Sequence, residues 1–172
     1  MKTVNIVETD TGSTTENMEP VSPPIRVMAV ASGGGHWLEL LRLRPALEGC
    51  DLHFVGIYSE LDSTVAPYPF YLVSDSHFDE PLRMVRSFFR LLQLFRKIRP
   101  QVVVSTGAGC GALAMLIGRL FRARTIWIES AANCSVLSRS GKLAARVAST
   151  TLVQWPELAR PDKIYYRGNI LL

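Results

Sequence analysis

Three consecutive glycines precede a histidine near the start of the chain. The segment Ser32-Gly33-Gly34-Gly35-His36 follows a short β-favouring run and leads into an apolar helical pattern. Such glycines let the backbone turn sharply and approach a ligand closely. The unpaired N–H groups of the following helix suit a phosphate or diphosphate, and an imidazole there could orient a hydroxyl or remove its proton. The alternative is a tight turn capped by Ser32, with an exposed histidine.

A second glycine-rich turn, Thr106-Gly107-Ala108-Gly109-Cys110-Gly111-Ala112, follows the apolar run QVVVS. Gly107, Gly109 and Ala112 match the G-x-G-x-x-A form of the dinucleotide fingerprint. Glu129 lies 22 residues after Gly107, where a ribose-binding acid belongs. A nicotinamide-dependent oxidoreductase domain that uses Gly107, Gly109 and Glu129 is therefore a rival hypothesis. The other alternative is that small residues permit close packing of a helix on a strand.

An acidic turn, Glu129-Ser130, ends the apolar strand RTIWIE. The Glu129 carboxylate could bind sugar hydroxyls, act as a base, or brace the N–H groups of a neighbouring loop. Further along the chain, Ser138 and Ser140 are candidates for the N-cap of a helix.

The predicted helix over residues 81–98 is basic and amphipathic. With Arg99 it carries six bases and no acid. At 100° per residue one wide apolar face holds Leu82, Val85, Phe88, Phe89, Leu92 and Phe95. Such a helix can lie on an anionic membrane surface, through Arg83, Arg86, Phe88, Phe89, Arg90, Arg96 and Lys97. The alternative is an ordinary outer helix with its apolar side on the sheet.

Short apolar runs and helical patterns alternate from residue 25 onward, and these elements must position the turns. The order predicts an α/β domain over residues 25–172, with a parallel, Rossmann-like sheet that helices cover on both faces. A helix is predicted from His36 to about Glu48, and TTLVQW is predicted as the last strand. Residues 1–24 are polar and rich in Thr, Ser, Glu and Pro, and predict a disordered tail.

Composition excludes several classes of function. Four of the 15 acids and one of the 19 bases lie in the first 24 residues, so the rest of the chain has a formal charge of +7 against +4 for the whole. The bases concentrate on one helix without exposed aromatic residues between them, which does not indicate nucleic-acid binding. The three cysteines are far apart in sequence, which favours a reducing compartment. Neither a disulfide framework nor a zinc site is expected. No metal or cofactor is expected, and neither a signal peptide nor a membrane-spanning run is predicted.

Three segments together resemble the acceptor-binding subunit of two-subunit UDP-sugar transferases: ASGGGHWLELLRL, STGAGCGALAMLIGRLFRARTIWIES and VLSRSGKLAARVASTTLVQWPEL. The eukaryotic members serve N-glycan assembly, and PssD-type bacterial relatives serve exopolysaccharide biosynthesis. MurG looks like a distant one-chain version. The resemblance covers about residues 25–170.

The resemblance implies the N-terminal, acceptor-side half of a GT-B glycosyltransferase, peripheral on the cytoplasmic face of the inner membrane. A separate chain would bind the UDP-sugar, and the acceptor would be a saccharide on a polyprenyl diphosphate. By this resemblance His36 is the first choice for the base or for acceptor contact, and Glu129 is the second. Acceptor and diphosphate contacts are assigned to Ser32, Gly33, Gly34, Gly35, Thr106, Gly107, Gly109 and Ser130. A non-catalytic membrane scaffold for a partner enzyme is the remaining alternative.

Overall fold

A parallel β-sheet forms the centre of the domain. The computed structural model describes residues 23–75 and 80–171, and seven strands lie within these ranges. They are β1 Arg26–Val30, β2 Asp51–Gly56, β3 Phe70–Leu72, β4 Val102–Ser105, β5 Arg124–Ile128, β6 Thr150–Val153 and β7 Ile164–Tyr166. Their spatial order is β3-β2-β1-β4-β5-β6-β7, and each neighbouring pair is parallel. The predicted parallel α/β fold is confirmed.

Helices pack on both faces of the sheet: α1 Gly35–Arg42, α2 Pro81–Ile98, α3 Ala108–Leu120 and α4 Arg139–Val147. Short 3₁₀ turns occupy Arg44–Leu47, Ser59–Thr64 and Pro156–Leu158. Alternate residues of β1 point to opposite faces, since Met28 packs in the cluster with α2, α3 and α4, whereas Val27 packs in the cluster with α1. This two-sided burial explains why the strands are apolar throughout.

The order in which the chain adds strands to the sheet reverses between β1 and β4. From β1 the chain moves outward through β2 and β3, and then returns to β4 on the other side of β1. In an open parallel sheet such a switch point leaves a crevice outside the carboxyl ends of the two strands. Val30 and Ser105 pair in register at these ends. Both glycine turns therefore begin side by side at this edge.

The structure corrects three local predictions. The first helix ends at Arg42 rather than near Glu48, and the chain continues as a 3₁₀ turn, because Pro45 cannot continue an α-helix. TTLVQW is not the last strand, since β7 follows it and pairs with β6. Gly34, not Ser32, is the N-cap of α1, and no side chain caps that helix.

The predicted tail, residues 1–24, lies outside the described residues except for Pro23 and Pro24. Among the helices that the structure does describe, none is both long enough and apolar enough to span a bilayer.

Candidate functional site

Two helix starts meet at the switch point. Gly34 (φ 60°) precedes α1, and Gly107 (φ 153°) precedes α3, and both adopt positive φ angles that favour glycine. No side chain in the described part of the chain caps either helix start, so the first N–H groups of α1 and α3 keep hydrogen-bonding capacity toward a ligand. The positive ends of both helix dipoles lie at the same edge of the sheet. This arrangement suits an anion such as a diphosphate.

His36 joins the two turns. A Cβ on Gly107 would lie 2.3 Å from the His36 Nδ1, so the imidazole packs directly on this glycine. The Thr106 hydroxyl, which is buried, donates to the His36 carbonyl oxygen at 2.6 Å. The His36 Nδ1 is buried and has no hydrogen-bond partner among the residues described. Because Nδ1 is enclosed against Gly107, only the exposed part of the half-buried ring can meet a ligand at the mouth of the two turns.

The start of α3 is strained and closely packed. Ala108 adopts φ 67°, a left-handed conformation that residues other than glycine seldom adopt. The Ser105 hydroxyl accepts from the Gly107 N–H at 3.3 Å and lies where a Cβ on Gly111 would come within 2.0 Å. The glycine at position 111 therefore permits close helix-to-strand packing, whereas Gly107 makes room for the His36 ring.

Cys110, in the first turn of α3, is an inert thiol. It is fully buried, and this burial raises its pKa from 9.0 to about 12. A thiol in this state carries almost no thiolate at neutral pH, and so it is not a nucleophile for the neighbouring site.

Glu129 directly follows β5, one strand further along the sheet, and hydrogen bonds occupy both of its carboxylate oxygens. The side chain is 1% exposed. Its Oε2 accepts from Trp127 Nε1 at 2.8 Å, and its Oε1 accepts from Asn133 Nδ2 at 2.7 Å and from the Ser138 N–H at 2.8 Å. A Cβ on Gly141 would come within 1.9 Å of Oε2, so the start of α4 packs against the carboxylate. This geometry supports the bracing interpretation, and it leaves no free carboxylate oxygen for ribose hydroxyls.

The loop that Glu129 braces also contains the serine that caps α4. Ser138 is the N-cap, and its hydroxyl accepts from the Gly141 N–H at 2.8 Å, as predicted. Ser140 lies inside the helix and is buried.

Glu39 is a buried acid that the sequence analysis missed. It lies one helical turn after His36 and is 4% exposed. Its Oε1 accepts from the Ser130 hydroxyl at 3.0 Å and from the Ala131 N–H at 2.9 Å, while Oε2 has no partner among the described residues. Glu39 thereby ties α1 to the loop after β5. Its place in the apolar segment WLELL was the available signal.

Tyr58 is a second residue that was missed. It follows β2, and its side chain is 52% exposed. Its ring lies on the first glycine turn, since a Cβ on Gly33 would come within 2.5 Å of Tyr58 Cε2. The ring forms an aromatic wall beside the start of α1, of the kind that can contact a sugar.

Helix α2 begins at the same edge of the sheet, because β3 ends there and α2 returns to the start of β4. The residues that it buries are Ser87, Leu91, Leu94, Phe95 and Ile98. The predicted single apolar face is corrected: Leu82, Val85 and Phe89 are 85%, 53% and 57% exposed, while Phe88 is half-buried against the core. The apolar surface of α2 is wider than the sheet can cover, and its uncovered part lies on the half of the helix nearest the glycine turns.

The basic residues of α2 are exposed, and Arg83 and Lys97 have partners among the residues that the structure describes. Arg83 pairs with Glu80 at 2.7 Å, and the Lys97 Nζ lies 5.2 Å from the centre of the Tyr71 ring. The structure thus brings together His36, Gly33 to Gly35 and Thr106 to Gly109. It places Glu129 and Ser130 in a buried network beside them, and it places the membrane-surface candidates on a separate helix.

Comparisons with known proteins identify relatives of this arrangement. The family described as "Oligosaccharide biosynthesis protein Alg14 like" matches residues 72–170. The UDP-N-acetylglucosamine transferase subunit ALG14 of Rattus norvegicus is 28% identical over 187 residues, which cover 88% of this chain and 87% of that protein. A UDP-N-acetylglucosamine–N-acetylmuramyl-(pentapeptide) pyrophosphoryl-undecaprenol N-acetylglucosamine transferase of Coxiella burnetii is 27% identical over 84% of this chain and 44% of its own length.

Solved structures share the fold. MurG of Acinetobacter baumannii superposes with a TM-score of 0.70 at 16% identity, and covers 83% of this chain and 45% of its own. The UDP-GlcNAc 2-epimerase of Methanocaldococcus jannaschii superposes with a TM-score of 0.67 at 14% identity, over 84% of this chain and 46% of its own. The chain spans less than half of these longer proteins, as expected for one half of a GT-B architecture, and the predicted fold class is confirmed.

The family match covers more than half of the chain, and it includes the second glycine turn, Glu129 and its loop. The resemblance to the acceptor-side transferase subunits, first noted from three segments, is thereby confirmed, and so is the relationship to MurG. This chain belongs to the Alg14 family of oligosaccharide biosynthesis proteins.

Proposed function

We propose that this chain is the acceptor-binding subunit of a two-subunit inverting glycosyltransferase. The enzyme would transfer a sugar from a UDP-sugar to a saccharide on a polyprenyl diphosphate, in polysaccharide or oligosaccharide biosynthesis. The observation that carries the proposal is the meeting of two uncapped helix starts with His36 between them at the switch point of the sheet.

The diphosphate of the acceptor would bind at the two helix starts. Its charge matches the N–H groups of Gly35 in α1 and of Gly109 in α3, and the positive dipole ends of both helices. The exposed ring of Tyr58 would contact the sugar next to it. Ser32 and Gly33 line the same turn, whereas the hydroxyls of Thr106 and Ser130 have protein partners and act by holding the turns.

His36 would act as the base. The neutral imidazole takes the proton from the acceptor hydroxyl as that oxygen attacks the anomeric carbon, and UDP leaves with the electron pair of the broken bond. Proximity of the diphosphate to the ring favours the imidazolium that forms. Glu129 is a positioning residue in this scheme, because its carboxylate holds the loop and the helix α4 and is not available to substrate.

The donor would be bound by a separate chain. The chain is nearly coextensive with the rat subunit, whereas it covers less than half of the one-chain transferase of Coxiella burnetii. A second Rossmann-like half with a UDP-sugar pocket is the expected partner.

Membrane contact would occur through α2, on the cytoplasmic face of the inner membrane. Leu82, Val85 and Phe89 recur at helical spacing and are exposed, and Arg83, Arg86 and Arg90 lie beside them. An apolar stripe next to a basic one is the surface that binds an anionic bilayer. It lies on the half of α2 nearest the glycine turns, so contact there would bring the site toward a lipid-linked acceptor.

The test is turnover of the complex reconstituted with the partner that copurifies from membranes. His36→Ala should lower kcat by roughly 100-fold or more. His53→Ala, at the half-buried histidine of β2, is the matched control and should leave kcat within about twofold. Unchanged turnover of His36→Ala would favour the non-catalytic scaffold, and binding of NAD or NADP by the chain alone would favour the oxidoreductase.

A further inference from the structure

A pocket rich in arginine lies at the opposite edge of the sheet from the glycine turns. Its volume is about 720 Å³, and it is lined by Arg96, Arg99, Pro100, Gln101, Phe121 and Arg122. The Arg124 N–H donates to the Gln101 carbonyl at 2.8 Å, so the segments before β4 and β5 are joined at this pocket. Helix α2 is 18 residues long and runs about 27 Å between the pocket and the edge of the sheet that carries the glycine turns.

The charges of this pocket are unpaired. None of the guanidinium groups of Arg96, Arg99 and Arg122 has an ion-pair or hydrogen-bond partner within residues 23–75 and 80–171, and no carboxylate lines the pocket. Arg26 Nε donates to the Arg99 carbonyl at 3.1 Å, which brings a fourth guanidinium to the same segment. Like charges around one pocket repel each other, and an anion relieves that repulsion.

The backbone presents two of these arginines in an uncommon conformation. Arg99 (φ 51°) follows the end of α2, and Arg122 (φ 57°) follows the end of α3. Glycine and asparagine are the usual residues at such left-handed positions. The negative ends of the helix dipoles account for basic residues nearby, but not for arginine at these two positions.

The segments that line the pocket pack against the core. Pro100 is buried, and the Phe121 ring packs 5.4 Å from the ring of the buried Phe95. The backbones that carry the arginines are thus anchored on the core, so a bound ligand would meet guanidinium groups converging from two segments. Planar guanidinium forks match phosphate oxygens in a bidentate manner.

We propose that this pocket binds a phosphate group of high charge, such as a phosphomonoester or a diphosphate. Arg96 continues, at helical spacing, the outward line of Leu82, Val85 and Phe89 along α2, so the headgroup of an anionic lipid is the favoured source. A soluble phosphate offers the same chemistry. The lipid source rests on the membrane contact proposed above, whereas the anion pocket itself does not depend on it or on glycosyl transfer.

The experiment compares the full chain with a charge-matched pair of variants. Arg99→Asn/Arg122→Asn removes two charges, and asparagine tolerates the left-handed backbone. Arg146→Gln/Arg160→Gln removes two exposed charges elsewhere and is the control. The probes are inorganic pyrophosphate, measured by calorimetry, and phosphatidylcholine vesicles that contain either phosphatidic acid or phosphatidylserine at equal surface potential, measured by sedimentation.

We expect saturable pyrophosphate binding that weakens roughly fivefold per arginine removed in the pocket variant and less than about twofold in the control. A preference for phosphatidic acid that only the pocket variant loses supports a lipid headgroup. Saturable pyrophosphate binding that the pocket variant weakens, without that lipid preference, supports a soluble phosphate. Equal losses in both variants, pyrophosphate binding that the pocket variant does not weaken (as expected for a site at the glycine turns), or no saturable binding of either probe would overturn the proposal. No sugar or partner enters this assay, so failure of the proposed transferase activity would leave its outcome unaffected.

Discussion

The first glycine turn and the loop after β5 both follow buried strands at the same edge of the sheet, and both carry a titratable side chain. At His36 the imidazole is half-buried against Gly107, and its side chain has no hydrogen-bond partner among the residues that the structure describes. At Glu129 three donors from the surrounding chain occupy both carboxylate oxygens. The comparison teaches that position at the edge of a sheet is not sufficient for a catalytic role. Hydrogen-bond accounting separates a group that is open to a ligand from a group that holds the fold.

The largest expected effect is a loss of stability at Glu129 and the loop that it braces, which we call the closed region. The turn that carries His36 is the open region. Glu129→Ala would leave the buried Trp127 Nε1 and the partly buried Ser138 N–H without this acceptor, and should lower the free energy of unfolding by about 3 kcal/mol or more. Urea unfolding followed by circular dichroism measures this. Glu129→Gln keeps one acceptor and the side-chain volume and should cost less. If Glu129→Ala unfolds like the native chain and yet abolishes turnover, the division into open and closed regions is wrong.

The next effect is at the open region. Gly107→Ala places a Cβ against the His36 ring and should displace the imidazole, with a loss of roughly tenfold or more in kcat of the reconstituted complex. Gly49→Ala is the matched control, because Gly49 also has positive φ (80°) but nothing lies within 4 Å of its added Cβ. Gly49→Ala should lose about 1 kcal/mol of stability from backbone strain. Gly107→Ala should lose more, because its backbone (φ 153°, ψ −172°) lies in a region that is essentially restricted to glycine. Equal kcat values for the two would contradict the proposed role of the contact.

A smaller effect is expected at the contact between the Tyr58 ring and the first glycine turn. Gly33→Ala should clash with Tyr58, and the clash should disappear in the Tyr58→Ala background, so the two substitutions should couple by roughly 1 kcal/mol in unfolding measurements. Tyr58→Ala alone should raise KM for the acceptor severalfold with little change in stability, since the side chain is half exposed. Additive effects would show that the ring does not pack on the turn in solution.

The smallest expected effect concerns the reactivity of the buried Cys110 thiol. Burial raises the pKa of Cys110 to about 12, so this thiol should resist iodoacetamide at pH 8.5, while the exposed Cys134 reacts. Because the thiol keeps its proton in the folded state but loses it above about pH 9 when unfolded, its contribution to stability should fall as the pH rises from 9 toward 12. Mass spectrometry of the alkylated peptides checks the protection. Rapid labelling of Cys110 at pH 8.5 would mean that the start of α3 is open behind the glycine turn.

Much of the fold could be predicted from the sequence, because runs such as RVMAV and VVVS are apolar on both faces of a strand and glycine-rich turns mark where they end. The last strand, β7, could not, since only Ile164 of its three residues is buried. The apolar side chains of α2 predicted its amphipathic character, but a helical wheel does not reveal how much of a wide apolar face the sheet will cover.

The sequence indicated the glycines and His36 of the candidate site, but not the hydrogen bonding of Glu129 or the role of Glu39, for a physical reason. The glycines and His36 are adjacent in sequence, so a local pattern was sufficient to find them. The state of Glu129 depends on donors up to nine residues away, and that of Glu39 depends on Ser130, 91 residues away. Such partners come together only through the tertiary fold, and no local pattern indicates whether a carboxylate will be occupied.

The pairing of β1 with β4 also bears on how the protein folds. Val27 pairs with Val102, which is the greatest separation in sequence between paired residues in the sheet that the structure describes. Pairings of such long range close a large loop and form slowly, in contrast to the neighbouring strands β5 and β6. The crevice that would receive the acceptor lies across this seam. During synthesis this crevice therefore does not form until β4 and the start of α3 have left the ribosome and closed onto β1.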